Sequence, residues 1–184
     1  FEKRLARLIA DLQDLIDTKS GRGASVGRPA ANEESLKALI DELTRTQSVL
    51  GALIGLRWPN SLYESLDAQL RYQNTLFAIK TLLLAECYFH PVVLAIEDLQ
   101  WLDSASYEAL DVLTRDVTRS PLFVVVTSRY ADDGSKPTLT VSDEVPVTAV
   151  DLNVLSPVDL QRLAEIILGG AVDDALLTLL QART

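Results

Sequence analysis

The sequence predicts an α/β domain, and three observations carry that reading. Two short apolar runs, Val92–Ile96 and Leu122–Val126, stand about 25 residues apart with a helix-patterned stretch between them, the outline of a βαβ unit. Long stretches with helical 3.6-residue spacing fill the chain before the first run. Two more helical stretches follow the second run, after a polar loop.

Taken in order, Leu5, Leu8, Ile9, Leu12, Leu15 and Ile16 form the i, i+3, i+4 stripe of an amphipathic first helix. A Gly/Ser/Arg-rich segment from Lys19 to Pro29 has no periodicity and reads as a loop. Asn32 is placed to cap a second helix, with Glu33 and Glu34 in the first turn, where carboxylates oppose the helix dipole. Leu36, Leu39, Ile40, Leu43 and Leu50 give that helix its inward face. After a turn at Trp58–Ser61 one long helix is expected from about Leu62 to Phe89, ended by Pro91.

Val92–Ile96 is a continuous apolar run, the pattern of a parallel strand buried on both faces. A helix from about Ser104 to Thr118 turns Leu110, Leu113 and Val117 inward, and Leu122–Val126 is the second, parallel strand of the unit. A weaker strand is expected around Val145–Val150. Ser156-Pro157-Val158-Asp159 opens the next helix with a capping serine and a proline at the first helical position. Leu160, Leu163 and Ile167 form its stripe, Gly169-Gly170 stops it, and a last helix runs from about Val172 to Gln181. The domain boundaries implied are a helical region at 1–90, a strand-bearing core at 91–150 and a helical segment at 151–184.

Composition narrows the function. The 184 residues are 48% hydrophobic and 23% charged, an ordinary globular balance. Acidic residues outnumber basic ones 26 to 17, for a net charge of −9, which argues against direct binding of nucleic acid or an anionic membrane. A single cysteine, Cys87, leaves no intramolecular disulfide and no multi-cysteine metal site. A single histidine, His90, argues against His-based metal or triad chemistry. Cys87 reads as a small buried hydrophobe and His90 as a helix-end residue. Glu86 and His90 interrupt the longest apolar stretch, so no membrane span is expected, and with no signal peptide the expected location is the cytoplasm. The chain lacks methionine and begins inside a helical stripe, which points to an internal piece of a longer polypeptide.

The chemistry lies in Glu97 and Asp98, two carboxylates directly after the first strand. In open α/β sheets ligands bind at the carboxyl edge of the strands. A hard cation such as Mg²⁺ takes oxygen ligands and needs only one or two protein carboxylates beside phosphate oxygens. A neighbouring carboxylate can accept a proton from an attacking water. The string Glu97-Asp98-Leu99-Gln100-Trp101-Leu102-Asp103 resembles the Walker B motif of P-loop ATPases, and specifically that of the signal-transduction ATPases with numerous domains (the STAND class), in the subset found in large bacterial regulators. The bland alternative is a helix-capping acidic turn. Thr127-Ser128-Arg129, at the end of the second strand, resembles the sensor motif of the same class. A guanidinium there can report a terminal phosphate, or can pair structurally with Asp98 or Asp103.

The resemblance runs from about Leu62 to the end of the chain. It implies part of a P-loop ATPase parallel sheet with a helical insertion before it and the start of a helical lid after it. It implies ATP and Mg²⁺ as cofactors. Glu97 and Asp98 would serve the metal and the attacking water, Arg129 the phosphate, and Asp103 a supporting role at the nucleotide. Trp101 is expected beneath the acidic turn, and Arg71 and Asn74 are polar candidates to reach the nucleotide, a neighbouring element or solvent. The class implies a slowly hydrolysing switch working on other domains of the same polypeptide, and a homo-oligomer is compatible with it. Its phosphate loop, Gly-x-x-x-x-Gly-Lys-Ser/Thr, is not in this sequence, which has no Gly-Lys pair. Gly21–Gly27 is glycine-rich but follows no strand and has no such lysine. The strand carrying that loop is expected between the second strand and Val145–Val150. The competing reading is a non-hydrolysing scaffold or oligomerisation module. A DNA-binding role would need a separate basic module.

Overall fold

The computed structural model describes residues 1–18, 33–131, 133–139, 141–152 and 155–182. The Lys19–Pro29 loop and the Asn32 cap lie outside the described residues. The chain divides into two units, Phe1–Pro146 and Val147–Thr184.

The first unit is mixed α/β and mostly helical. Its elements are α1 (Glu2–Thr18), α2 (Glu33–Leu53), α3 (Leu62–Ser65), α4 (Ala68–Glu86), β1 (Val92–Ile96), α5 (Ser104–Thr114) and β2 (Leu122–Val126), with one 3₁₀ turn at Leu99–Trp101. The core is helical. Leu5, Leu8 and Leu12 of α1 meet Leu36, Leu43, Val49 and Leu50 of α2, and Ala78 and Ala85 of α4 close the cluster together with Tyr88. Side chains three and four apart share a face in a helix, so the apolar stripes read from the sequence become this core. The threonines buried with the helices return their hydroxyls to the preceding turn, Thr46 Oγ1 to the Glu42 carbonyl at 2.6 Å and Thr81 Oγ1 to that of Phe77 at 2.8 Å.

The single long helix expected over Leu62–Phe89 is two helices. Leu66 is extended, and Asp67 caps α4 by accepting a hydrogen bond from the Leu70 N–H at 2.8 Å. The Asp67 carboxylate thus gives the backbone a local alternative to an unbroken helix. Arg71 holds the break together. Its Nε donates to the Tyr63 carbonyl at 2.8 Å, and its guanidinium lies 4.8 Å from the Tyr63 ring centroid, with Arg57 also 4.4 Å from that ring. Asn74 Oδ1 accepts from Arg45 of α2 at 2.9 Å. Arg71 and Asn74 therefore both join neighbouring elements.

β1 and β2 form a two-stranded parallel sheet in the register Val92↔Leu122 to Ile96↔Val126. This is the pairing the βαβ pattern predicts. The expectation of burial on both faces fails: every strand residue is half-buried or exposed, with Val93 at 64% and Phe123 at 65% accessibility on the open face. A continuous apolar run has no polar residue to mark which face is covered, so the sequence is silent on that point. α5 also ends early, at Thr114: Arg115 is already extended (φ −66°, ψ 142°) and Asp116 follows in the left-handed conformation (φ 53°), so neither continues the helix.

No strand forms over Val145–Val150. Pro146 has no N–H to give a ladder, and the Val145 N–H closes a turn on the Ser142 carbonyl at 3.0 Å. The second unit holds α6 (Pro157–Leu168) and α7 (Asp174–Gln181). Ser156 caps α6 as expected: its Oγ accepts from the Asp159 N–H at 3.2 Å and donates to the Asp159 carboxylate at 2.6 Å. Gly169 ends it in the left-handed conformation, φ 71°. The expected stripe is only partly inward, since Leu160 and Ala164 are buried while Leu163 and Ile167 are exposed. Among the described residues no helix is long and apolar enough to cross a membrane.

Candidate functional site

The carboxyl edge of the sheet collects the residues that the sequence singles out. Parallel, in-register pairing ends both strands level, with Ile96 opposite Val126, so Glu97-Asp98 and Thr127-Ser128-Arg129 leave the same edge side by side. The ladder continues past the strands. Thr127 N–H donates to the Ile96 carbonyl at 2.9 Å, and Leu99 N–H donates to the Thr127 carbonyl at 2.9 Å.

Asp98 turns the chain. It sits in the left-handed region at φ 57°, ψ 50°. Among non-glycine residues Asp and Asn accept that conformation best, and the other two such residues among those described are Asn60 and Asp116. The turn leads into the 3₁₀ segment, where Leu99 is buried and Trp101 is 81% exposed. Trp101 therefore does not pack beneath the acidic turn. A three-residue turn with Leu99 directed inward leaves the tryptophan on the outside, and Leu99 does the anchoring that Trp101 was expected to do.

Gln100 is the residue the sequence reading passed over. Its Nε2 donates to Asp98 Oδ1 at 2.9 Å, while its Oε1 accepts from Ser128 Oγ at 3.0 Å and from the Arg129 N–H at 3.1 Å. The only sequence signal was its place inside the acidic string; partners 28 and 29 residues away leave no local mark.

Asp103 is the N-cap of α5, its Oδ1 accepting from the Ser106 N–H at 2.8 Å. The Ser106 hydroxyl and then its backbone N–H hold the Asp103 carboxyl below its ordinary value. Its place in the string is accounted for by the helix it starts, as the helix-capping alternative has it. Arg129 forms no ion pair with Asp98 or Asp103 among the described residues, and Glu97, Asp98 and Arg129 are all exposed at the edge. From Glu97 to Asp116 six acids face one base, Arg115. That arginine pairs with Asp111, and its carbonyl accepts from Lys80 Nζ at 2.6 Å. Burial pushes the Lys80 amine down from its ordinary value.

Cys87 is buried, and burial pushes its thiol up, so it is a packing residue with little thiolate character. The His90 backbone N–H closes the end of α4 on the Glu86 carbonyl at 3.0 Å. An open cavity of about 280 Å³ beside α2 and Trp58 is lined by none of these candidates.

Hard oxygen donors at one edge suit a cation such as Mg²⁺, and Glu97 and Asp98 are the residues that can hold one. Among the described residues no three His, Cys, Asp or Glu side chains converge as a metal-binding group, so such an ion would draw its other ligands from water and phosphate. A triphosphate fits less well: the sequence offers no Gly-Lys loop to cradle it. Comparison of the chain with protein-family models, with curated proteins and with solved structures gave no match.

Proposed function

We propose that this chain carries the metal and sensor side of an ATP-dependent conformational switch in a larger multidomain regulator, of the STAND class that its acidic string resembles. One observation supports the reading above others. The pairing of β1 with β2 sets Glu97 and Asp98 level with Arg129 at one carboxyl edge, joined through Gln100. In this reading Glu97 and Asp98 hold Mg²⁺ and polarise the attacking water, and Arg129 senses the terminal phosphate. The phosphate cradle comes from another part of the polypeptide. Bound Mg²⁺ and γ-phosphate bias the arrangement of the domains, and slow hydrolysis releases it, in the cytoplasm where ATP is at hand.

The test is ATP turnover by the polypeptide that contains this sequence. Glu97→Gln and Asp98→Asn should each lower kcat by about 100-fold, the order expected for losing a group that assists proton transfer or holds the ion. Unchanged turnover in both variants would refute the assignment. The 184 residues alone should bind ATP weakly, because two carboxylates without a phosphate loop repel the triphosphate. Micromolar, Mg²⁺-dependent ATP binding in calorimetry would overturn the placement of the cradle elsewhere.

The missing Gly-Lys pair favours a second reading, a non-hydrolysing scaffold that keeps the strand arrangement and serves protein association. Absence of any ATP turnover in the intact polypeptide, with assembly retained, would favour it.

A further inference from the structure

The Gln100 side chain is more than one hydrogen bond in a loop. It uses both ends of a planar amide, and its orientation is dictated by its partners: a carboxylate can only accept, and a backbone N–H can only donate. Nε2 must therefore face Asp98, and Oε1 must face Ser128 and Arg129. Because the amide nitrogen and oxygen are fixed relative to one another, neither end can move without moving the other.

A main-chain bond, Leu99 N–H to the Thr127 carbonyl, joins the same two loops. That bond fixes their spacing but touches neither the Asp98 carboxylate nor the Arg129 backbone. Among the described residues, only Gln100 links those two groups.

We propose that Gln100 is a positioning residue that couples the Asp98 carboxylate to the backbone of Arg129, so that a cation arriving at Asp98 is felt at the end of β2. The functional half of this inference rests on reading Asp98 as a magnesium ligand. A cation taking Oδ1 competes with the Gln100 N–H for that oxygen. As the amide turns away, its Oε1 leaves the Arg129 N–H and the Ser128 hydroxyl. The loop that carries the guanidinium is then freed or re-aimed. Glutamate at this position would keep an acceptor for Arg129 and lose the donor to Asp98. Leucine would keep approximate bulk and lose both.

The experiment uses the isotope-labelled chain and two NMR measurements. The first, without ligand, is amide hydrogen exchange. Gln100→Leu should speed exchange at Arg129 about tenfold, the effect of one net hydrogen bond, while Leu99 stays protected and certifies the fold. Gln100→Glu should leave Arg129 protected. The second is a titration with Mg²⁺ alone. In the wild type, shifts at Asp98 should be accompanied by shifts at Arg129; in Gln100→Leu the Asp98 shifts should persist and the Arg129 shifts should vanish. A merely structural Gln100 would leave Arg129 unshifted by Mg²⁺ in the wild type.

Equal Arg129 exchange in the wild type and Gln100→Leu overturns the tie. An Arg129 response to Mg²⁺ that survives in Gln100→Leu overturns the coupling. No Mg²⁺ response at Asp98 in the wild type counts against the magnesium reading and the coupling built on it, and the exchange result still decides the tie.

Discussion

The left-handed backbone at Asp98 gives a stability prediction that separates the architecture of the site from its chemistry. At φ 57° and ψ 50° a side chain with a Cβ meets the following carbonyl, at a cost of roughly 1–2 kcal/mol that glycine escapes. Asp98→Gly, Asp98→Ala and Asp98→Val all remove the carboxylate and the bond it accepts from Gln100, so that loss cancels when the three are compared with one another. What remains is backbone strain. Glycine gives back part of its advantage, about 0.5–1 kcal/mol, through the extra freedom of its unfolded chain. Asp98→Ala should therefore be less stable than Asp98→Gly by about 0.5–1 kcal/mol, and Asp98→Val less stable again because its branched Cβ is more crowded. For a chain of this size that is a difference of roughly 1–4 °C in Tm between glycine and alanine. Chemical denaturation followed by tryptophan fluorescence reads it, since Trp58 and Trp101 both lie in the first unit. Any Mg²⁺ binding at the edge should be lost in all three variants alike. Asp98→Ala and Asp98→Val as stable as Asp98→Gly would refute the left-handed turn and the geometry derived from it.

Two further predictions concern packing and pH. A Cβ on Gly51 of α2 would stand 2.2 Å from the Trp58 ring, so Gly51→Ala must displace that ring and disturb its Nε1–H bond to Glu2. The usual gain of about 1 kcal/mol from alanine in a helix should turn into a net loss of about 1 kcal/mol and a shifted Trp58 emission; adding Trp58→Leu should restore the gain, and a stabilised single variant with unchanged emission would contradict the packing. The Asp103 carboxyl, held below 3.8 by the Ser106 hydroxyl and N–H, favours the folded state while charged. Its contribution is fully present above pH 3.8 and lost as pH falls through the depressed folded value, so Asp103→Asn should flatten that part of the acid limb of a Tm–pH curve, and coincident acid limbs would contradict the cap.

Much of the fold is legible in the sequence where a local rule fixes the geometry. The stripes Leu5-Leu8-Leu12 and Leu36-Leu43-Leu50 supply core residues because helical spacing alone puts them on one side. Ser156 and Gly169 bound α6 because caps act within one turn. The parallel pairing follows from two apolar runs joined by one helix. What escapes the sequence is settled by competition or by distance. Asp67 breaks a long helical stripe because a cap outweighs helix continuation at that point. Trp101 points outward because Leu99 takes the inward place. At the candidate site the sequence supplies Glu97, Asp98 and Arg129 but not Gln100, whose role exists only once β1 and β2 lie side by side.

The sheet that carries the candidate site lies outside the main core cluster of its unit, and that changes what holds the site in shape. The main core belongs to α1, α2 and α4, whereas no residue of β1 or β2 is fully buried. Fully covering a valine or phenylalanine is worth about 1.5–3 kcal/mol, and Val93 and Phe123 draw little of that here. Two strands alone are marginal in water, so their register must be secured by more than the ladder. Contacts just outside the strands add to it at both ends: Val92 N–H to the Pro121 carbonyl at the amino edge, and Thr127 to Ile96, Leu99 to Thr127, and Gln100 to Asp98, Ser128 and Arg129 at the carboxyl edge. Buried Leu99 anchors this end from below. At this edge the main-chain bonds hold the register, and the Gln100 amide holds the Asp98 carboxylate and the Arg129 backbone in place. A ligand that competes for the Asp98 oxygen would therefore meet the Gln100 amide first and leave the main-chain ladder standing.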